Sequence, residues 1–256
     1  MAVETAPSPR PASARETSPG RAWWLEPALT VICYSAFVIY ATWSVFDQVN
    51  VRFDPYVSPF FSLWLGFGLF HVPIIGIFIP ILAVIPLGLR GSCYYYRKSY
   101  FRSFFWDPPA CAIQELKRGR YRGETRFPWV LNNYHRYFLI LSGIVLVFLW
   151  VDVVRAFMYH GHFFIGLGSV IMLVNVVLLT LYTTTCHSLR YLLGGRIDAF
   201  SRVRFGKAWH RVVMTLNAMN PRHGFYAWVS MFSVALTDVY IRLLMAGIFH
   251  EPRWIA

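Results

Sequence analysis

Apolar residues in this chain do not alternate with polar ones; they run on in blocks, at about residues 28–46, 60–89, 137–157, 164–186 and 225–249. A helix needs about 20 mainly apolar residues to cross a bilayer core. Inside hydrocarbon every backbone N–H and C=O must find a partner within the protein, which leaves helices as the expectation for such blocks. The pattern therefore predicts an all-α polytopic membrane protein. A bundle of five transmembrane helices occupies residues 27–256, and a polar tail occupies residues 1–26. The second block contains Pro73, Pro80 and Pro86. It is expected to be a tilted or kinked helix whose freed carbonyls are met by neighbouring helices. The first twenty residues are rich in Pro, Ser, Ala and Arg and lack the apolar stretch of a secretory signal. They read as a disordered tail.

Composition agrees with the blocks. The chain is 57% hydrophobic and 14% charged, with a mean hydropathy of +0.46, whereas soluble domains carry roughly 25% charged residues. The net charge of +12 does not point to nucleic acid, because most of the basic residues lie between the apolar blocks, where they act as topology signals. Nine of them, Arg90, Arg97, Lys98, Arg102, Lys117, Arg118, Arg120, Arg122 and Arg126, follow the second block. Seven more, Arg190, Arg196, Arg202, Arg204, Lys207, Arg211 and Arg222, follow the fourth, while the connection after the first has only Arg52. This asymmetry puts the N-terminus on the cytoplasmic side of the membrane and the C-terminus outside, which an odd number of spans satisfies. Interfacial helices are expected in the inner connections, near residues 96–106 and 197–219. The four cysteines, Cys33, Cys93, Cys111 and Cys186, do not form a secreted disulfide framework.

That topology sorts side chains by depth. Cys93 falls just past the inner end of the second span, and Cys111 follows in the inner connection. His135 begins the third span at the inner face, and the fourth returns inward to Cys186 and His187. Cys93, Cys111, His135 and His187 thus share one depth, and two thiolates with two imidazoles suit a metal centre. A tetrahedral Zn site of Cys₂His₂ type fits the donor set. So does a Rieske-type [2Fe–2S] cluster, in which two His replace two Cys on one iron. The spacing matches no short metal motif, and small buried cysteines beside interfacial histidines need no metal at all. Cys186 is a reserve ligand, although adjacent residues on a helix point about 100° apart. One haem b held between His135 and His187 is a further possibility. A second haem lacks a pair of ligands, because His71 finds no mid-depth partner and His160, His162 and His250 fall on the outer side. Cys33, on the first span, reads as packing.

The residues around these candidates resemble a family. Cys93 followed by Tyr94, Tyr95, Tyr96 and Arg97, and the run from Trp106 through Asp107, Pro108, Pro109 and Ala110 to Cys111, are similar to the single-chain membrane anchors of bacterial succinate dehydrogenases. So are the run from Asn133 through His135 to Phe138, the run from Cys186 to Arg190 with Gly194, Gly195 and Arg196 beyond it, and the segment from Pro55 to Phe60. The resemblance covers roughly residues 30–215. It implies a subunit of respiratory complex II. A flavoprotein oxidises succinate, an iron–sulfur subunit carries the electrons to the cytoplasmic face of the membrane, and the anchor passes them to quinone. Many single-chain anchors hold two b haems; the branch with cysteine motifs like these resembles anchors with a Rieske-type [2Fe–2S] cluster. The missing second histidine pair, with Cys93 and Cys111 in their motifs, favours the cluster, with Cys93, Cys111, His135 and His187 as ligands. Two His ligands would place its potential at about −150 to +300 mV, a range suited to donation to a quinone.

Other polar residues have two readings each. Trp106, Asp107, Tyr134, Arg136, Arg190 and Tyr191 lie near the inner interface. They are candidates for a quinone pocket, or else an aromatic belt with snorkelling arginines. Asp152 with Arg155, and Asp238 with Arg242, are ionisable residues within spans and so are functional candidates by default; each can instead pair with its helical neighbour. The basic inner connections suit anionic lipid or the acidic faces of partner subunits. An oligomer of the whole complex stays open. No flavin or nucleotide motif is present, so independent catalysis is not expected. A membrane transporter is the alternative of another class, but it would favour inverted repeats and broken helices meeting at mid-membrane.

Overall fold

A computed structural model of the chain describes residues 24–47, 51–62, 71–74, 77–93, 95–96, 131–159, 161–195 and 197–255. Helix α1 is Leu25–Phe46. Short strands β1 (Arg52–Phe53) and β2 (Tyr56–Val57) pair as a hairpin, and a 3₁₀ turn follows at Pro59–Phe61. A second hairpin pairs β3 (His71–Ile74) with β4 (Ile77–Pro80) and leads directly into α2 (Ile81–Ser92). The long helices α3 (Leu131–Ala156) and α4 (Leu167–Thr184) are joined through β5 (Met158–Tyr159), β6 (His162–Phe163) and β7 (Ile165–Gly166). Two shorter helices follow, α5 (His187–Gly194) and α6 (Gly206–Met219). Helix α7 (His223–Met245) closes the bundle, and β8 (Arg253–Ile255) pairs with β7.

Among the described residues, four stretches are long and apolar enough to cross a membrane: Leu25–Phe46, Tyr134–Ala156, Leu167–Thr184, and Gly206–Met245, which joins α6 and α7. They correspond to the first, third, fourth and fifth apolar blocks. The expectation of one helix across residues 60–89 is not met. Among the described residues this block is a 3₁₀ turn, a hairpin and a helix of 12 residues, about 18 Å long at 1.5 Å per residue. Proline explains the break. Pro73 and Pro80 lie in the two strands, and each would remove a helical hydrogen bond and clash with the carbonyl four residues back. Pro86 is tolerated inside α2. The interfacial segment expected near residues 96–106 lies outside the described residues beyond Tyr96. The stretch near residues 197–219 contains α6, most of whose residues are exposed and which is itself part of the apolar stretch Gly206–Met245.

Side-chain bonds fix how the helices run. Ser92 at the end of α2 meets His135 near the start of α3. Ser169 near the start of α4 bonds the Ala156 carbonyl at the end of α3. Asn220, just before α7, bonds the Thr185 carbonyl just after α4. Each of these pairs is therefore antiparallel. Helix α1 runs parallel to α7: Tyr34 stacks on Tyr96 beside the start of α7, while Asp47 pairs with Arg242 near its end. The start of α1 and the strand β8 thus lie at opposite ends of the bundle. Residues facing outward recur at a spacing of seven, as Ile32 and Ile39 on α1, Ile140, Val147 and Val154 on α3, and Phe225 and Phe232 on α7. Such apolar outer stripes suit a lipid surface and would be a liability in water. Among the described residues two clusters fill the interior. One, around Phe37, Cys93, Tyr96, Tyr182, Cys186 and Met231, lies toward the start of α7; the other, around Tyr56, Val153, Phe164 and Ile241, lies toward its end.

Candidate cofactor site

Five helix ends meet around a cavity of about 310 Å³ lined by Ser92, Cys93, Tyr95, His135, Cys186, His187, Ser188 and His223. Two glycines permit the close approach. A Cβ at Gly88 would stand 2.3 Å from the Phe138 ring, and one at Gly224 would stand 2.6 Å from the Tyr95 ring. Without side chains there, α2 closes on α3, and Tyr95 packs beside His223.

The imidazoles are held by a repeated device. The Ser92 hydroxyl donates to the Gly88 carbonyl at 2.8 Å and lies 3.0 Å from His135 Nδ1. Its one proton being committed, it accepts from Nδ1–H, which assigns the tautomer. Nε2 then carries the lone pair, and it lies 3.3 Å from the Cys186 sulfur. Thr185 repeats the arrangement. Its hydroxyl donates to the Leu181 carbonyl at 2.6 Å and sits 3.0 Å from His223 Nδ1. His223 Nε2 lies 3.7 Å from the Cys93 sulfur. The pairs are crossed: the hydroxyl beside one cysteine orients the histidine that faces the other. Cys93, Cys186 and His223 are buried. Burial pushes both thiols above their ordinary range, so a bound cation would be needed to hold them as thiolates. Among the described residues no three of these side chains converge closely enough to hold one metal ion.

Of the ligands expected from sequence, Cys93, His135 and His187 line this cavity, and so does Cys186. Cys111 lies outside the described residues. His187 is exposed at the rim, its proton affinity lowered by partial burial and by Arg190. His223, which the sequence reading passed over, is buried at the centre. Its signals were its place at the inner start of the last apolar block, and the pairing of a hydroxyl with a thiol in both Ser92–Cys93 and Thr185–Cys186. Cys33 is half-buried on α1, away from the cavity lining. Of the quinone candidates, Tyr134, Arg136 and Tyr191 are exposed, and Arg190 donates to Asn217. None of these four lines the cavity; Trp106 and Asp107 lie outside the described residues.

At the other end of the bundle the ionisable residues satisfy one another. Asp238 accepts from Tyr40, Ser44, Ser58 and Arg242, and Arg242 also reaches Asp47 at 2.6 Å. Asp152 accepts from Ser62.

A model of the actinobacterial succinate dehydrogenase subunit SdhC family matches residues 25–247. The chain belongs to this family. A chain of the Mycobacterium smegmatis Sdh1 complex in the apo form superposes with a TM-score of 0.79 at 34% identity, covering 97% of this chain and 98% of that one. Among curated proteins none matches the chain. The protein is thus a membrane anchor subunit of succinate dehydrogenase. It associates with the other subunits of that complex.

Proposed function

We propose that the cavity holds a Rieske-type [2Fe–2S] cluster through Cys93, Cys186, His135 and His223, and that the anchor uses it to pass electrons from the iron–sulfur subunit to quinone. The observation that carries this reading is the crossed arrangement of two hydroxyl-oriented imidazoles and two buried thiols. Hydroxyls that fix Nδ1–H leave Nε2 free to ligate and raise its basicity. A single Zn ion fits less well, because among the described residues no three donors converge on one point, whereas a two-iron group spreads its four donors over two metal positions. A haem would use two imidazoles and leave two buried thiols without a role. When bound, the cluster supplies a one-electron carrier whose two His ligands raise its potential above that of an all-Cys plant-type centre. His187 at the rim, and Cys111, are the alternative ligands.

The flavoprotein and iron–sulfur subunits dock at the cavity end, on the cytoplasmic face. The exposed cations Arg202, Arg204, Lys207, Arg211 and Arg222 lie on the α5–α6 connection, on α6 and at the start of α7, where they suit acidic partner surfaces or anionic lipid. The N-terminus is then cytoplasmic and the C-terminus outside, in keeping with the opposite positions of α1's start and β8. Tyr134, Arg136, Arg190 and Tyr191 flank His135 and His187 along the chain and offer donors to a quinone carbonyl; they are the proposed quinone contacts, with Trp106 and Asp107.

Replacing His135 and His223 with alanine in the assembled complex tests the reading. Succinate oxidation with an artificial dye should persist while quinone reduction is abolished. Quinone reduction at the unmodified rate would refute it.

A further inference from the structure

We propose that the turn between α5 and α6 is a membrane-surface anchor: Phe205 sinks into the headgroup layer, and Arg202 and Arg204 gather anionic phospholipid around it. The inference rests on the chain being a membrane anchor, and not on the cofactor. Helices α5 and α6 fold back on each other. The Trp209 indole N–H donates to the Leu193 carbonyl at 2.8 Å, Arg190 donates to Asn217 at 2.5 Å, and Gly194 leaves room for Val213. The other end of this hairpin is tied to the bundle, where Asn220 donates to the Thr185 carbonyl at 2.7 Å. The turn from Phe200 to Phe205 is therefore its far tip. It stands one length of the 14-residue α6 away, about 21 Å.

At that tip Phe205 is 75% exposed, with Val203 exposed beside it. The Phe205 backbone has φ +60°, a left-handed conformation that a bulky residue rarely adopts. The turn enforces it. Gly206 N–H donates to the Val203 carbonyl at 2.9 Å, Val203 N–H donates to the Phe200 carbonyl at 3.2 Å, and a Cβ at Gly206 would collide with that same carbonyl. The fold thus tolerates local strain at a residue whose ring it leaves uncovered. Arg204 lies over the ring, its guanidinium 5.2 Å from the centroid.

Of the two surfaces these cations suit, acidic protein and anionic lipid, the geometry favours lipid. From Ala199 to Arg222 the chain has five Lys and Arg residues and no Asp or Glu, a charge complementary to anionic headgroups. Helical spacing puts Lys207 and Arg211 on one side of α6, and Trp209, Val212, Leu216 and Met219 on the other. A helix divided in this way suits the boundary between water and hydrocarbon, with its apolar side about 5–10 Å deep. Position agrees: only the 3₁₀ turn Asn220–Arg222 separates α6 from α7, and the two form one apolar stretch with the spanning helix.

The test is photo-crosslinking of the purified complex in nanodiscs of equal parts phosphatidylcholine and phosphatidylglycerol. A p-benzoylphenylalanine replaces Phe205 or, in a separate sample, Arg211. Dye-linked succinate oxidation confirms assembly in each. Illumination should attach phospholipid to the anchor from position 205 and not from position 211, as read by mass spectrometry. Phosphatidylglycerol should dominate the adduct, and Arg202→Gln with Arg204→Gln should lower its excess about fivefold for each cation removed. A crosslink from position 205 to the flavoprotein or iron–sulfur subunit overturns the inference in favour of a protein interface. Absence of any adduct at 205 overturns it in favour of a water-facing turn. Equal adducts of the two lipids overturn the role given to the arginines. Each of these results leaves the cluster reading untouched.

Discussion

At one end of the bundle the Asp238 carboxylate takes bonds from Tyr40, Ser44, Ser58 and Arg242, while at the other the His135 and His223 rings turn a free nitrogen toward a thiol and a cavity. Both ends bury chemistry that costs free energy in a membrane. The first closes on itself. Asp238 is fully buried, Arg242 bridges it to Asp47, and Glu251 takes bonds from the Tyr56 and Tyr240 hydroxyls and the Gly168 amide. The second leaves donors and acceptors facing a space of about 310 Å³. A satisfied network is explained by stability alone, whereas polar groups gathered around a void call for a ligand. Polarity within a span thus marks a functional site only after its internal partners have been counted.

The comparison breaks most sharply at the thiols. Cys186→Ala should eliminate the cofactor from the purified complex, with iron analysis showing the loss, while the anchor still assembles in the membrane. The far end should respond in the opposite sense. Asp238→Ala leaves the Arg242 guanidinium with Asp47 alone and removes the acceptor of the Tyr40, Ser44 and Ser58 hydroxyls, a loss of about 1–3 kcal/mol. It should show as lower thermal stability of the detergent-solubilised complex, with the cofactor retained in whatever fraction folds.

The legibility of the two ends differed for a physical reason. Helices α1, α3, α4 and α7 follow from run length, because only hydrocarbon asks for such lengths of apolar chain. The block at residues 60–89 is equally apolar, but its prolines turn it into a hairpin and a short helix, and hydropathy does not register that. The ion pair of Asp238 with Arg242 was readable from their spacing of four; its extension to Tyr40, Ser44 and Asp47 depends on how α1 packs. Depth alone brought Cys93, His135 and His187 together. It missed His223 because the last span was started at residue 225, two positions too late. The hydroxyls that orient the rings come from tertiary contact, and the sequence shows only their adjacency to Cys93 and Cys186.

Smaller changes sharpen the contrast. Ser92→Ala and Thr185→Val each remove the acceptor for an imidazole Nδ1–H while leaving the ligands in place. Each should weaken cofactor retention about 10- to 100-fold, measured as iron lost on dialysis against a chelator. The smallest effect belongs to Arg52→Ala. Its 2.7 Å bridge to Asp54 is exposed on both sides, so its loss should change stability by less than about 1 kcal/mol, within a single thermal-melt comparison.

The most direct test of the cavity as a cluster site is low-temperature electron paramagnetic resonance of the dithionite-reduced complex, with an optical spectrum of the same sample. The account requires a Rieske-type signal in addition to those of the iron–sulfur subunit, lost in His223→Ala and retained in His187→Ala. Strong haem α and Soret bands with no Rieske-type signal would contradict it.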